Sequence, residues 1–229
     1  MSIFRKQELT CKACGTALTF DLVHSISADR RPDLRDAILD GSFQRGTCPT
    51  CGTEFRVEPE FVYMDIGRGQ YIGVWPASKR GEWKDWAQKT RSAFEGTLGQ
   101  SAPAEAKRIG DKLAVRAVFG WPALVEKVLA RQLDIDDRTL EAGKLAVMRS
   151  EEEVPIPGNQ ELRLVGEQDG DALLAWVGAP LGEDTPPVLR VPRQLFADID
   201  AEPATWQALR EQVAEGDVVD FQRELLIAA

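Results

Sequence analysis

The chain has 229 residues but only one histidine, four cysteines, two tyrosines and three methionines. With His24 as the sole histidine, a Ser-His-Asp triad would have to be built on it, and multi-histidine metal sites are excluded. No stretch approaches 18 apolar residues, so no membrane-spanning helix is expected. The opening Met1-Ser2-Ile3-Phe4-Arg5-Lys6-Gln7-Glu8 lacks the apolar run of an export signal. The expected location is therefore the cytoplasm, where thiols stay reduced. The glycines at 67 and 69 complete no phosphate-binding loop, and there is no P-loop, zincin helix or nucleophile elbow.

What is present is concentrated at the four cysteines. They fall into two turns, Cys11-Lys12-Ala13-Cys14-Gly15 and Cys48-Pro49-Thr50-Cys51-Gly52, separated by 33 residues. A C-x-x-C turn places two sulfurs on one side of a tight loop. Two such turns brought together make a tetrahedral cage of four sulfurs, suited to Zn(II) or a single iron. Gly15 and Gly52 follow the second cysteine of each pair, where a residue without Cβ accepts the positive φ of the returning chain. The spacing therefore predicts a metal site formed by Cys11, Cys14, Cys48 and Cys51, with no cysteine left over.

Three other readings of the cysteines stay open. A disulfide framework would need an oxidising compartment. A thioredoxin-type pair needs a C-x-x-C that opens a helix, and both pairs here lead into strand-like runs. A rubredoxin-like iron site uses similar turns. Zinc in a structural role is the first choice of cofactor and iron the second.

Charge is unevenly distributed. Residues 1–110 carry 16 Lys and Arg against 14 Asp and Glu, whereas residues 111–229 carry 12 against 23. Neither part has the dense cationic face that nucleic-acid binding requires, and the acidic part should repel phosphates.

Along the chain, Leu18, Phe20, Leu22, His24 and Ile26 alternate as on a strand with one buried face, which makes His24 a half-buried strand residue. Pro32 and Gly41 bracket a short helix with Leu34 and Ile38 inward. Glu54–Ile66 reads as a strand broken near Pro59, and Gln70–Trp75 as the strand returning after a turn at Gly67–Gly69. Glu82–Glu95 reads as an amphipathic helix with Trp83, Trp86, Thr90 and Phe94 on one face, followed by a small-residue loop to Pro103. Beyond it come a strand over Lys112–Phe119, a helix to about Leu133, and a helix from Asp137 to Arg149 capped by Asp136. Glu151–Gly158 and Thr185-Pro186-Pro187 read as breaks, and the hairpin of Glu161–Glu167 and Asp171–Val177 turns at Asp169-Gly170. A strand at Val188–Val191 and helices near Arg193–Asp200 and Ala204–Ala214 follow, and the tail is ambiguous.

The expected fold class is α+β: an N-terminal zinc-ribbon-like β unit with an inserted helix, then a mixed α/β C-terminal domain. The expected boundaries are residues 1–76 for the metal-binding domain, 77–110 for a helical connector, and 111–229 for the acidic domain.

Residues 8–76 resemble the CpXC domain of bacteria. The resemblance rests on the two cysteine turns, the Ala28-Asp29…Pro32-Asp33-Leu34 segment, and the Tyr63…Trp75-Pro76 hairpin. The first pair lacks the proline that names the family; Pro49 supplies it in the second. The resemblance implies a metal-binding bacterial domain and no particular reaction.

The functional expectation is a zinc-stabilised, non-enzymatic adaptor or accessory factor that binds a protein partner and neither nucleic acid nor membrane. Two alternatives come from other classes. One is a rubredoxin-like electron carrier. The other is a nucleic-acid-associated regulator using Arg30, Arg31, Arg35 and Arg45, extended by Lys79, Arg80, Lys84 and Lys89.

Overall fold

The chain begins as a hairpin. Strand β1 (Ile3–Thr10) pairs antiparallel with β2 (Ala17–Ser27), from Phe4↔Val23 to Thr10↔Ala17. The register slips between Ile3 and Phe4, and His24 is the residue on β2 that is skipped. The slip changes which side chains face inward, so Val23 and Ile26 are buried and His24 is exposed. The half-buried His24 expected from alternation is thereby corrected, because an extra residue resets a period of two.

Helix α1 (Pro32–Leu39) starts with Pro32 in its first turn and buries Leu34 and Ile38. A small hairpin of β3 (Arg45–Thr47) and β4 (Glu54–Arg56) follows. Then β5 (Phe61–Asp65) and β6 (Gln70–Trp75) form a second antiparallel pair. The interruption near Pro59 thus separates strands of two different sheets.

Helix α2 (Trp83–Thr97), helix α3 (Ala104–Gly110) and strand β7 (Ala114–Phe119) complete this region. The main sheet has the order β1-β2-β5-β6-β7. β2/β5 and β6/β7 are parallel, and each parallel pair is bridged by a helical crossover. At Gly73 a Cβ would lie 2.2 Å from Thr90 Oγ1, so α2 reaches the sheet only because that position is glycine. Trp75 Nε1 donates to the same Thr90 hydroxyl at 2.9 Å, and Phe94 packs edge-on to Tyr71 with centroids 5.1 Å apart.

The remaining elements are α4 (Trp121–Gln132), α5 (Asp137–Ser150), β8 (Glu161–Gln168), β9 (Asp171–Val177), β10 (Leu189–Pro192), α6 (Arg193–Ala201), α7 (Gln207–Gln212), β11 (Ala214–Glu215) and β12 (Val218–Val219). Asp136 caps α5 as expected, accepting from the amides of Arg138 and Thr139. Asp169 and Gly170 both have positive φ, as a two-residue hairpin turn requires. β10-β9-β8 form an antiparallel sheet whose core includes Leu140, Leu162, Leu164, Leu174, Trp176 and Phe196. The last helix is shorter than the 204–214 span expected. The computed structural model describes residues 1–150, 160–178 and 188–223; both expected breaks, over Glu151–Gly158 and Thr185–Pro187, and the end of the tail lie outside them.

The fold is α+β, as expected. The chain divides into two compact units. The first takes Met1–Ala77 and Gln88–Gly120, and the second takes Ser78–Ala87 and the described residues from Trp121 onward. This differs from boundaries at 76 and 111. β7 is the edge of the first sheet, and residues 88–110 are its crossover rather than a connector. The change in charge near residue 111 drew the expected boundary there, but pairing of β7 follows its buried Val115, Ala117, Val118 and Phe119, which charge does not report. No helix among the described residues is long and apolar enough to cross a membrane.

Candidate metal centre

Each C-x-x-C occupies the turn of an antiparallel hairpin. The first spans the gap between Thr10 and Ala17, and the second the gap between Thr47 and Glu54. The two turns are built alike. Gly15 N donates to Cys11 O at 2.8 Å, and Gly52 N donates to Cys48 O at 2.9 Å. Cys11 N donates to Thr16 O and Cys48 N to Thr53 O, both at 2.9 Å. Gly15 and Gly52 have φ of +75° and +72°, a conformation that side chains with Cβ rarely adopt.

These turns bring the four cysteines together. All four Sγ atoms lie within 4.8 Å of one another. Cys11 and Cys51 sulfurs are 3.8 Å apart, and those of Cys14 and Cys48 are 3.7 Å apart. A tetrahedron with metal–sulfur bonds of about 2.3 Å has edges of about 3.8 Å, so these separations fit a four-sulfur cage. All four thiols are free. The residues are positioned to hold a metal ion.

The first cysteine of each pair is buried and the second exposed. Cys11 and Cys48 pack with Leu18, flanked by Leu9 and Phe55. Phe55 in turn meets Phe20 edge-on at 5.5 Å. This apolar cluster is small, so the knuckles have little hydrophobic surface of their own to hold them together.

Two residues of the site were not singled out from the sequence. Thr16 Oγ1 lies 3.2 Å from Cys14 Sγ, and Thr53 Oγ1 lies 3.2 Å from Cys51 Sγ. A hydroxyl that donates to a thiolate favours the charged form. The hydroxyl and amide of Thr53 draw the Cys51 thiol down to about 6, and those of Thr16 lower Cys14. The signal was available in the sequence: both turns read C-x-x-C-G-T.

The segment between the knuckles has its own organisation. The Asp29 carboxylate accepts from the amides of Ile66 and Gly67 at 2.6 and 2.7 Å and so pins the β5–β6 turn. Arg35 pairs with the buried Asp65 at 3.1 Å, and Tyr63 donates its hydroxyl to the same carboxylate. Of the other basic residues considered for nucleic acid, Arg31 pairs with Asp33 and Arg45 donates to Gly41 O. Arg80 pairs with Glu161, Lys84 with Glu215, and Lys79 lies over the Trp86 ring. His24, the only histidine, is exposed on β2 and is not part of the four-cysteine group.

No curated protein matches this sequence, and no solved structure does. A family model described as CpXC protein matches residues 9–144. The match covers more than half of the chain, takes in both cysteine turns and the whole first sheet from β2 onward, and continues through α4 into α5. The chain therefore belongs to the CpXC family.

Proposed function

We propose that the protein is a zinc-stabilised, non-enzymatic binding protein, an adaptor or accessory factor of the bacterial cytoplasm, with one zinc per chain on Cys11, Cys14, Cys48 and Cys51. The observation that carries this reading is the cage itself. Four sulfurs within 4.8 Å of one another, two pairs of them at 3.7 and 3.8 Å, supply enough ligands to fill a zinc coordination sphere without water or substrate, which supports a structural rather than a catalytic site. The small apolar cluster at the knuckles supports a metal that holds the fold. A protein partner is favoured over nucleic acid because Arg31, Arg35, Arg80 and Lys84 are engaged with carboxylates.

The test is elemental analysis of the full chain purified under reducing conditions, followed by chelation. One zinc per chain, with loss of amide protection confined to the knuckles and their strands after chelation, supports the reading. Iron, with the red colour of a four-thiolate iron centre, would replace it with electron transfer. Tight DNA or RNA binding that falls steeply with salt would replace it with the nucleic-acid reading.

A further inference from the structure

Strand β1 is an edge of the main sheet, and its side chains from Phe4 to Glu8 are exposed on both faces. Natural sheets blunt such edges with short strands, prolines, bulges or charges. Here Phe4–Thr10 is regular and free of proline, since the only slip lies before Phe4. What remains is charge: Arg5, Lys6 and Glu8 around Gln7. Among the described residues, no ion pair involves Lys6 or Glu8, although Lys6 stands opposite Asp21 on β2.

A second copy could extend the sheet across this edge only under a strict rule. A two-fold axis perpendicular to the sheet keeps every residue on its own face. Directly opposed residues must share a face, so the axis must pass through a residue opposed to its own copy. Centring on Arg5, Lys6 or Glu8 sets a like charge on itself, which is destabilising across strands. Centring on Phe4 or Leu9 leaves most of the strand unpaired. Centring on Gln7 opposes two neutral amides, sets Lys6 against Glu8 on both sides of the axis, and places Phe4 against Thr10 and Arg5 against Leu9. The charges that would block every other long register are complementary in this one.

We propose that the chain forms a two-fold dimer by antiparallel pairing of β1 with β1 of a second copy, centred on Gln7 and matched by Lys6–Glu8 pairs. The dimer extends the sheet through both protomers, and its recognition chemistry does not involve the cysteines. It therefore stands or fails separately from the metal reading.

The experiment is sedimentation equilibrium of the full, metal-replete chain at low salt, with wild type, Lys6→Glu and Glu8→Lys. Wild type is expected at twice the 25.3 kDa chain mass. Each single variant opposes like charges on both sides of the axis and should weaken self-association by about ten-fold or more. Mixed one to one, the two variants regain complementarity and should form a heterodimer, and the double variant Lys6→Glu/Glu8→Lys should dimerise like wild type. This rescue also shows that the single variants remain folded. A wild-type chain that stays monomeric at the highest soluble concentration overturns the proposal. So do outer-edge β1 amides protected in a monomer, which would mean another segment covers the edge. Single variants as dimeric as wild type, or a mixture that fails to pair, overturn it as well.

Discussion

The knuckle end of the first unit and the core of the second unit meet the same problem with opposite means. Both bring polar groups from distant segments into close contact. At the knuckles the groups are four sulfurs of one chemical kind, all within 4.8 Å of one another. In the second unit they are charges of both signs. Glu126 on α4 accepts from Lys144 Nζ, Arg163 Nη1 and the Leu164 amide, each at 2.8 Å. Lys144 also pairs with Glu141 at 2.9 Å, and Lys127 meets Glu141 at 3.3 Å and donates to Val219 O at 2.6 Å. Arg163 pairs further with Glu161 and Asp220. Glu126, Glu141 and Lys144 have no exposed surface. The network is closed, because every one of these buried charges has its counter-charge on the same chain. The four thiols, by contrast, are positioned to hold a metal ion, which would have to come from outside the chain. A site positioned to take an external ion and a network that needs none should respond differently to removal of one member, to acid and to chelation.

The largest effect is expected from Cys48→Ser. It removes a buried sulfur that both packs against Leu18 and sits 3.7 Å from Cys14. Structural zinc contributes roughly 10–16 kcal/mol of binding free energy in small peptides, much of it as folding free energy. Hydrogen exchange should show protection lost over β1, the first half of β2 and the β3–β4 hairpin, with α4, α5 and β8 unchanged. Unchanged protection at the knuckles would show that the metal does not hold the fold and would point to a redox or catalytic metal.

Next in size is Glu126→Ala, which leaves Lys144 and Arg163 buried without their shared carboxylate. Breaking such a network from one side costs about 3–5 kcal/mol. The second unit should lose that much stability in urea while the metal content stays at one per chain. If the metal were lost along with the second unit, the two modes of stabilisation would not be separable.

Acid should separate them again. Burial alone would raise the Glu126 carboxyl, but Lys144 and Arg163 beside it hold it at about 2. Burial likewise opposes ionisation of Asp220, yet Arg163 and Lys144 keep it well below the usual carboxylate range. For carboxyls lowered in the folded state, the stabilisation is fully present above their ordinary value. For Glu126 it is lost as pH falls from about 4.5, the unperturbed value, towards about 2. Metal binding at the cage instead competes with protons on the thiols, of which Cys51 is drawn down to about 6 by the Thr53 hydroxyl and amide. Stepwise acidification should therefore release the metal, seen by a chromogenic chelator, before the second unit loses amide protection. Simultaneous loss would contradict the contrast.

How much of this was legible beforehand differs between the same two regions. The cysteine turns, the inward stripe of α1, the Asp136 cap and the Asp169-Gly170 turn were readable because each depends on residues close in sequence. The place of β7 was not readable. Its partner β6 is separated from it by a crossover of two helices, and its alternation fits either neighbouring unit. The exposure of His24 depends on a register slip against Ile3 and Phe4, a property of the pair and not of β2 alone. The buried network escaped for a related reason. Glu126, Lys127, Glu141 and Lys144 look like ordinary solvated helix positions until α4, α5 and β8 are placed against each other.

The smallest expected effect compares the two knuckles with each other. Thr16 and Thr53 stand at equivalent positions, each 3.2 Å from the exposed cysteine of its turn. Cys14 and Cys51 are both lowered, but only Cys51 reaches as far as about 6. Replacing threonine by valine keeps the shape and removes the donor. Loss of an outer-shell partner typically costs about 10–100-fold in metal affinity. Thr53→Val should fall within that range and Thr16→Val nearer its lower end, measured by competition with a chelator of known affinity. A second pair of variants isolates the cause. Thr53→Ser and Thr16→Ser keep the donor and should hold the metal about as tightly as wild type in the same competition. Losses from serine as large as those from valine would show that the threonines only pack against the sulfurs, and equal losses at Thr16 and Thr53 would show that the two turns are equivalent in chemistry as well as in backbone.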